Sequence, residues 1–371
     1  MEKYDVIIIG GGIAGLYTTQ LLRKYNLKIC LIDAQEDILS IPFHTLGSFL
    51  NVKDCQLSNK CISSKISKGV FHSKHINSTK YGISFILDKV QIHRELLKRL
   101  KDSNVKLLTS VNITKCKKGK NNLLKHISDD KNNKYFAKIF IDCSGITGVL
   151  TKKLGLQDPD VNFAKGVEYN VQYFDKSDTC HFFVGKLLQG GYAWIFPKKD
   201  NRAIFGYASL YEVNINNCEE ILNSLFKVNP YIELVKKDNN KLCSGVIPIT
   251  SVKTKFVYKN VVGIGDSVSQ VNPIVGEGYK FIIEASKMAS QYIYKAIVNN
   301  NIELLHNYEK EWGNKFLTNY IRCKKLQNIG NWASKSDFLS DLLVLFLRYI
   351  KNSNFTKLIS GDINLRYCLP I

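Results

Sequence analysis

The residues with the clearest chemistry stand near the beginning of the chain. An apolar run at residues 4–9 leads directly into the sequence GGGIAG at residues 10–15. At this spacing Gly10 permits a tight turn, Gly12 lets the backbone approach a pyrophosphate, and Gly15 lets the following helix pack closely against the strand. The motif therefore predicts a dinucleotide site between a strand and a helix.

Two neighbouring features support this prediction. The helix expected over residues 16–24 leaves the N–H groups of Ile13 and Ala14 free at its positive end, where phosphates bind. A second apolar strand over residues 28–32 ends in Asp33, at the distance from the turn where an acid accepts hydrogen bonds from a ribose hydroxyl. Because a carboxylate at this position disfavours a 2′-phosphate, FAD or NAD is preferred to NADP.

A second group of glycine and acidic residues follows the last expected strand, over residues 256–264. It consists of Gly265, Asp266, Pro273, Gly276, Glu277 and Gly278. Asp266 would bind a ribityl chain, while the N–H groups of a long helix starting at about residue 278 would face a flavin ring and stabilise negative charge on its reduced form. One strand end for ADP and another for ribityl favour FAD over NAD. The sequence shows no motif for covalent attachment, so the FAD is expected to be non-covalent.

Three aromatic residues alternate along one expected strand. Tyr192, Trp194 and Phe196 would point to the same face of a sheet, and Pro197 follows them. The pattern alone fits a packed core as well as a binding wall. Beside a flavin, an apolar aromatic wall suits a long hydrocarbon substrate, because each buried CH₂ group contributes about 0.8 kcal/mol.

Together these motifs resemble the geranylgeranyl reductase family of FAD-dependent oxidoreductases, within the wider flavin monooxygenase superfamily. The resemblance covers roughly residues 1–290. The nucleotide motifs are shared by the superfamily, whereas YAWIFP at residues 192–197, followed by Gly206, is more specific and lines the prenyl-chain pocket in the family. The resemblance also implies flavin-side roles for Gly145, in the run DCSG, and for Lys89, where the family has arginine.

The chain departs from the family pattern at two further positions. The family usually has a Cys-Gly pair shortly after the second strand, but residues 41–47 contain no cysteine. The second glycine after the aromatic motif is replaced by Ala208. Together with Lys89 in place of arginine, these departures bear on the substrate and on the reaction, and not on the flavin.

The order of the elements predicts an α/β fold: a Rossmann-like FAD-binding domain, a substrate domain on an antiparallel sheet (an α+β second lobe), and a helical C-terminal tail. A chain of 371 residues exceeds the roughly 250–300 residues that one core usually supports, so two lobes are expected. The expected segments are 1–40, 85–160 and 256–298 for a discontinuous FAD-binding domain, 41–84 and 161–255 for the substrate-binding lobe, and 299–371 for the helical region.

The composition argues against several classes of protein. No basic-then-apolar leader precedes the first strand, so no secretory signal is expected. The longest apolar run near the end, residues 342–347, is too short to span a membrane. The ten cysteines include no CxxC pair, and His72 and His75 are interpreted as surface residues, so no metal site is predicted. These features indicate a cytoplasmic protein, with a position at the membrane periphery as an alternative.

The net charge of +20 attracts anionic partners over long range. Three interpretations stay open: anionic lipid headgroups at a membrane surface, an acidic electron-carrier protein, and a compositional bias toward lysine that only gives solvated faces. No nucleic-acid-binding module is visible, so nucleic acid is not an expected partner.

The combined prediction is an FAD-dependent enzyme that reduces C=C bonds of an isoprenoid or similar apolar lipid with hydride from reduced flavin. One alternative is a flavin-dependent monooxygenase, of hydroxylase or halogenase type, acting on an apolar or aromatic metabolite. Another is a lycopene-cyclase-like or lipid-binding flavoprotein without net redox. Because the chain has a single GxGxxG motif, the reductant is expected to visit the site transiently, as NADPH or as a ferredoxin or flavodoxin. No catalytic side chain is assigned.

Overall fold

The computed structural model describes residues 2–100, 104–156, 162–209, 215–238, 241–249 and 255–362. The strands form two large sheets, and the helices pack on them. In chain order the strands are β1 (Lys3–Ile9), β2 (Ile29–Ile32), β3 (Thr45–Ser48), β4 (Ile62–His72), β5 (Asn77–Asp88), β6 (Val105–Leu108), β7 (Ile113–Lys118), β8 (Leu124–Asp129), β9 (Lys134–Asp142), β10 (Phe163–Tyr173), β11 (Thr179–Phe183), β12 (Tyr192–Pro197), β13 (Arg202–Ser209), β14 (Val235–Lys236), β15 (Cys243–Pro248), β16 (Val257–Tyr258) and β17 (Val261–Gly263). The helices are α1 (Ile13–Leu22), α2 (Lys89–Leu100), α3 (Ile215–Leu225), α4 (Tyr231–Leu234), α5 (Tyr279–Val298), α6 (His306–Trp312), α7 (Thr318–Ala333), α8 (Asp337–Leu347) and α9 (Asn352–Ile359).

The first sheet has the strand order β16-β17-β9-β1-β2-β6, and β8 joins β7 to it through an antiparallel pairing with β9. Strands β17, β9, β1, β2 and β6 run parallel. The central strand β1 is apolar on both sides because both faces are covered. Val6 and Ile8 pack in one core with α1 and α5, whereas Ile7 and Ile9 pack with side chains of β7 and β8. The parallel arrangement brings the carboxyl ends of five strands to one edge.

The second sheet has the order β14-β10-β13-β12-β11-β4-β5-β3, and β15 also pairs with β10. Its neighbouring strands are antiparallel except β11 and β4, which run parallel. Val167, Tyr169 and Phe205 point to one face and form a core with α3 and α4. Because side chains alternate along a strand, Glu168 and Gly206 point to the opposite face. The loop before α5 contacts that opposite face.

The C-terminal helices pack against both lobes. Phe316 and Tyr320 lie edge-on against Phe281 of α5, and Gln327 of α7 donates from Nε2 to the carbonyl oxygen of Pro273 at 2.5 Å. Helices α8 and α9 lie beside β5 of the second sheet. Among the helices of the described residues, none has the length and apolar character needed to cross a membrane.

The predicted α/β fold, with a parallel first sheet, a mainly antiparallel second sheet and a helical C-terminal region, is confirmed. Residues 41–84 contain β3, β4 and most of β5. Their sequence shows little periodicity because bulges interrupt the alternation along the long hairpin. Residues 85–88, assigned from the sequence to the FAD-binding domain, also belong to β5. The division into domains stays a prediction, and its boundary at 160–161 and residues 363–371 lie outside the described part of the chain.

Two further expectations need correction. The strand expected over residues 256–264 is a short hairpin that turns at Lys259, where φ is 52°. His72 is not a surface residue: its ring stacks on Phe183, and its Nε2 lies 3.0 Å from Nδ1 of His181. Burial lowers the pKa of His72 to about 4.

Candidate functional site

The predicted nucleotide-binding residues meet at the carboxyl edge of the first sheet. Gly10 follows β1, Asp33 follows β2, Gly145 lies in the turn after β9, and Gly265 lies after β17. Strand β1 lies between β9 and β2. The chain continues from β1 to β2 on one side and later returns to β9 on the other side. Ligands of doubly wound sheets bind in the crevice at this kind of switch point.

The three motif glycines have different surroundings. A Cβ on Gly10, where φ is +102°, would lie 2.3 Å from the carbonyl oxygen of Cys143, and a Cβ on Gly15 would lie 1.8 Å from the carbonyl oxygen of Gly10. These two glycines are therefore required by packing. At Gly12, by contrast, a Cβ would have no heavy atom of the described residues within 4 Å beyond its immediate neighbours. The space at Gly12, at the uncapped start of α1, fits a pyrophosphate.

Asp33 shapes the adjacent turn as well as facing the crevice. Its Oδ2 accepts a hydrogen bond from the N–H of Gly11 at 2.5 Å, and its Oδ1 accepts one from the N–H of Gln35 at 2.7 Å. A carboxylate has about four acceptor positions, so these two bonds leave capacity for ribose hydroxyls. The structure thus fits the predicted role of Asp33.

The turn that contains Gly145 is held by an acid that sequence reasoning did not assign. Asp142 is fully buried, and its Oδ2 accepts hydrogen bonds from the N–H groups of Leu150 and Thr151 at 2.7 and 2.8 Å. Its Oδ1 accepts from the hydroxyl of Ser144 at 2.6 Å. This network fixes the backbone of the turn against Gly10, and Gly145 itself has φ of +61° and open space around it.

The second cofactor motif packs directly on the first. A Cβ on Gly265, where φ is +81°, would lie 3.2 Å from Cβ of Ala14, the second residue of α1. The Asp266 carboxyl lies near Gly278, at the N-terminus of α5, and burial raises its pKa to about 6. The N-terminus of α1, at Ile13, and that of α5, next to Gly278, therefore lie close to Gly265 and Asp266. Both helix starts offer backbone N–H donors to one elongated ligand.

The loop at residues 272–278 joins this cofactor edge to the second sheet. Glu277 is buried, and its Oε1 accepts hydrogen bonds from Ser48 Oγ at 2.9 Å and from the N–H of Lys280 at 3.0 Å. Its carboxylate is thus used to hold the loop and the first turn of α5, and burial raises its pKa. Gly276, with φ of +67°, lies close to Tyr192.

The predicted aromatic wall is present on β12. The ring centroids of Tyr192 and Trp194 are 5.5 Å apart, and those of Trp194 and Phe196 are 6.0 Å apart. Trp194 is 8% exposed, and its indole N–H has no hydrogen-bond partner among the described residues. Pro197 alternates to the other face of the sheet, so the structure does not bring it to the wall as predicted. Tyr192 donates from its hydroxyl to the carbonyl oxygen of Val275 at 3.3 Å.

Glycines on other strands of the second sheet make room for the aromatic rings. A Cβ on Gly206 would lie 2.3 Å from the Trp194 ring, and a Cβ on Gly47 would lie 2.9 Å from the Phe196 ring. A Cβ on Gly245 would likewise lie 2.3 Å from the ring of Phe43. The aromatic rings therefore pack against backbone that carries no side chain.

The wall continues beyond the predicted motif. Phe196 contacts Phe182 edge-on at 5.7 Å between ring centroids, and Phe182 stacks on Phe71 at 5.0 Å. Phe71 in turn contacts Phe355 of α9 at 5.0 Å. An aromatic row thus runs across the sheet from the loop before α5 to the C-terminal helices.

Glu168 is a buried acid on the same sheet face. It lies directly opposite Gly206 of β13 and Cys243 of β15, and Trp194 lies on the far side of Gly206. Glu168 and Trp194 therefore occupy one face, two strands apart, and Gly206 between them has no side chain. Only 5% of Glu168 is exposed.

Burial raises the pKa of Glu168 to about 8, against the opposing influence of Lys89 and Lys198. Lys89, the first residue of α2, has its ammonium nitrogen 5.9 Å from the ring centroids of both Phe43 and Tyr279. Burial lowers its pKa, while Glu168 and Asp266 act in the opposite direction. Lys89 thus interacts with Asp266 at the cofactor edge and with Glu168 on the second sheet. At neutral pH Glu168 keeps its proton.

Sequence reasoning missed Glu168, Phe43 and Asp142. The alternation of residues 167–173 was visible, but an acid between apolar neighbours usually indicates a solvent-facing position. In this chain the opposite face of the sheet is also covered, so the acid is buried. In residues 41–47 only the missing cysteine was considered from the sequence. Nothing in that segment indicated that the Phe43 ring would pack on Gly245.

Substituting Gly12 tests the nucleotide site separately from packing. Gly12 has φ of −68° and ψ of −175°, which alanine adopts without strain, so Gly12→Ala should change the unfolding free energy of the cofactor-free protein by less than about 1 kcal/mol. The added methyl would occupy the pyrophosphate space and weaken FAD binding at least about tenfold. Thermal melts and FAD titration measure both effects. Gly15→Ala, the matched control, should lose stability as well, and unchanged FAD affinity in Gly12→Ala would refute the assignment.

Gly206→Ala should displace the Trp194 ring. The expected overpacking costs about 1–3 kcal/mol of unfolding free energy, and turnover of a prenyl substrate should fall at least about tenfold while bound FAD is retained. Gly330→Ala serves as control because a Cβ there meets no described atom within 4 Å, and alanine in a helix is favoured over glycine by about 1 kcal/mol. Kinetics are compared below both melting temperatures, and unimpaired turnover in Gly206→Ala would show that the ring position is irrelevant to substrate.

Known proteins share both the sequence and this architecture. The chain is 24% identical over 355 residues to a protein of Thermoplasma volcanium named digeranylgeranylglycerophospholipid reductase, covering 90% of this chain and 87% of that protein. A solved structure from Thermoplasma acidophilum, titled geranylgeranyl bacteriochlorophyll reductase-like, superposes with a TM-score of 0.84 at 20% identity and covers 94% of this chain and 92% of that one. The predicted resemblance to geranylgeranyl reductases is thereby confirmed.

The fold is also shared more widely. A probable FAD-dependent monooxygenase from Pseudomonas aeruginosa superposes with a TM-score of 0.70 at 14% identity, covering 93% of this chain and 100% of that one. This likeness concerns the fold alone. The family described as lycopene cyclase protein matches residues 5–319, a span that includes every predicted cofactor residue and the aromatic wall. The chain belongs to the lycopene cyclase protein family.

Proposed function

We propose that this protein is an FAD-dependent oxidoreductase that reduces C=C bonds in the isoprenoid chain of a prenyl lipid. One observation supports the proposal above all others: a row of aromatic side chains, lying on glycine backbone, begins at the loop beside the cofactor edge and extends across a buried sheet face. Such a surface suits a long hydrocarbon. The names of the curated relatives agree with this substrate class.

The residues at the carboxyl edge would hold FAD without a covalent bond. Gly12 and the start of α1 would face the pyrophosphate, Asp33 the ribose, and Asp266 the ribityl chain, with the turn at Gly145 and the ammonium of Lys89 on the flavin side. When bound and reduced, FAD supplies a hydride to the alkene. The aromatic row orients the chain and excludes water from it.

Glu168 is the proton donor in this proposal. With its pKa near 8, its carboxyl oxygen carries a proton at neutral pH, and it shares a sheet face with Trp194. Reduction of an alkene requires one proton for each hydride, and a positioned acid contributes about 10²–10⁴-fold to such a step. The carboxylate that remains is stabilised by the positive charge of Lys89, and water returns the proton.

The protein's activity is tested by product analysis. Purified protein with FAD, a chemical reductant and a geranylgeranyl lipid should yield products heavier by two hydrogen masses for each double bond lost. The same products should form without oxygen. A product that contains oxygen from labelled O₂ would instead establish the monooxygenase alternative.

Glu168→Gln should separate the two halves of the reaction. Flavin reduction should keep its rate, whereas reoxidation by the alkene should slow by about 10²–10⁴-fold and lose the decline expected above pH 8 in the unmodified protein. Rapid-mixing absorbance measures each half separately. Equal rates of reoxidation in the two proteins would refute the role of Glu168.

The pH dependence of the melting temperature of Glu168→Gln provides a second test of the protonation state of Glu168. Because the pKa of Glu168 is raised from 4.5 to about 8 in the folded protein, its stabilising contribution is complete below pH 4.5 and is lost as pH rises toward 8. The melting temperature of Glu168→Gln relative to the unmodified protein should therefore increase over this range. A pH-independent difference would show that the carboxyl is ionised in the fold.

Acid-catalysed cyclisation is a second candidate function. A protonated carboxyl on an apolar aromatic face can protonate an alkene without net redox, and the matching family is described as lycopene cyclase protein. This candidate predicts a product of unchanged mass. The presence or absence of the two added hydrogens therefore distinguishes the candidates.

An external donor must reduce the flavin, and we propose that this donor binds to a positively charged surface of the protein. The chain carries +20, so an acidic ferredoxin or flavodoxin should reduce the flavin faster than NADPH, with steering worth about 10–10³-fold in rate at low salt. The advantage should shrink near 0.15 M salt, where the Debye length is about 8 Å. Stopped-flow reduction at two ionic strengths checks this, and fast reduction by NADPH with slow, salt-independent reduction by ferredoxin would contradict it.

A further inference from the structure

Helix α8 exposes a row of large apolar side chains. Phe338, Leu342 and Phe346 recur every four residues, with 67%, 46% and 41% of their surface exposed, and Tyr349 follows with 62%. Trp332, at the end of α7, is also 62% exposed. We call these five residues the α8 face. A cluster of exposed apolar side chains of this size indicates an interaction surface, whereas single exposed apolar residues are ordinary.

The polar residues of α8 are directed away from this face. Asp337 accepts a hydrogen bond from Lys74 Nζ at 3.1 Å, and Asp341 accepts one from Ser73 Oγ at 2.6 Å. Both acids thus contact the turn between β4 and β5, and Val344 is buried beneath the helix. The orientation of α8 is fixed by these contacts, so the apolar side chains are held toward solvent with the helix acids turned aside.

The charge around the α8 face is positive. Residues 318–362 contain seven Lys or Arg and three Asp, and two of those Asp form the bonds described above. Lys335, Arg348 and Lys351 are exposed at the two ends of α8. An apolar helix face flanked by basic side chains is the pattern that binds at the interface of anionic membranes.

The aromatic row ends on α9, the helix next to α8 in the chain. The row ends there at Phe355, and both helices pack beside β5. Its inner end is at Tyr192, beside the loop of the cofactor edge. Helix α8 and the end of the aromatic row are thus both held against the same strand of the second sheet.

We propose that the α8 face docks on an anionic lipid bilayer. Docking at this position would let an apolar chain move from the bilayer to the aromatic row with little exposure to water. The proposal goes beyond the reduction of prenyl lipids, because it concerns a surface outside the site and requires no turnover for its test.

The test is vesicle binding of the full chain loaded with FAD. The protein should sediment with vesicles of phosphatidylglycerol and phosphatidylcholine, and bind about tenfold less to phosphatidylcholine alone. The triple variant Phe338→Ser, Leu342→Ser, Phe346→Ser should bind the mixed vesicles at least about tenfold more weakly. The matched control is Phe174→Ser, Ile232→Ser, Val298→Ser, which removes side chains exposed by 60%, 53% and 62% elsewhere on the surface, and it should bind like the unmodified protein.

Tryptophan fluorescence provides an internal reporter of the docked face. Of the three tryptophans, Trp194 and Trp312 are buried and Trp332 is exposed. Emission should shift to shorter wavelength on vesicle binding and be quenched by brominated lipids, and both changes should disappear in Trp332→Phe. Bound FAD and the melting temperature verify that each variant is folded.

Several outcomes would overturn the proposal. These are failure of the unmodified protein to bind anionic vesicles, equal binding by the triple variant, or a homodimer that the triple variant converts to monomer, which would assign the α8 face to a second copy of the chain. Vesicle binding by a protein that leaves prenyl lipids unchanged would uphold docking and refute only the proposed function.

Discussion

The loop at residues 272–278 is the constraint on which the whole site depends. It leads into α5, whose N-terminus faces the cofactor edge, and at the same time it contacts the second sheet through Tyr192 and the C-terminal helices through Gln327. Glu277 fastens it to Ser48 with a buried carboxylate. Because three parts of the chain meet at one loop, the position of the aromatic row relative to the cofactor edge is set by a few buried hydrogen bonds.

The face of the second sheet that carries Trp194 and Glu168 combines two features that would be unfavourable in an ordinary core. Glycines weaken strands because they cost backbone entropy and add no side-chain packing, yet Gly47, Gly206 and Gly245 lie where rings need flat contact. A buried carboxyl is costly when ionised, yet Glu168 is placed among these residues and avoids that cost by keeping its proton. Both features agree with the proposed site, in which a hydrocarbon would lie beside a protonated acid.

The cofactor half of the site could be predicted from sequence because it depends on local backbone geometry. Gly10, Gly15 and Gly265 are needed for close approaches within one strand–turn–helix unit or between two of them, and such motifs are readable from spacing. The substrate half depends on register across strands that are distant in the chain. That Trp194, Gly206 and Glu168 lie in one line across three strands follows from pairing, which periodicity within single strands does not reveal. Pro197 was assigned to the wall by its motif, but strand alternation turns it to the other face.

The α8 face illustrates the same limit. Residues 342–347 were visible as a short apolar run, too short to span a membrane. Whether such a run is core or surface depends on which side of the helix packs, and this is decided by the contacts of Asp337 and Asp341 with the turn between β4 and β5. The tertiary contacts, and not the composition of the run, make it an exposed face.

Anaerobic single turnover shows whether reduced flavin itself saturates the lipid. Protein whose FAD has been fully reduced is mixed, without oxygen or excess reductant, with a geranylgeranyl lipid, and flavin absorbance and product mass are followed together. We expect the flavin to be reoxidised, with one double bond saturated for each flavin. A flavin that stays reduced while the lipid is converted to an isomer of unchanged mass, or a flavin that is reoxidised only when oxygen is admitted, would contradict it.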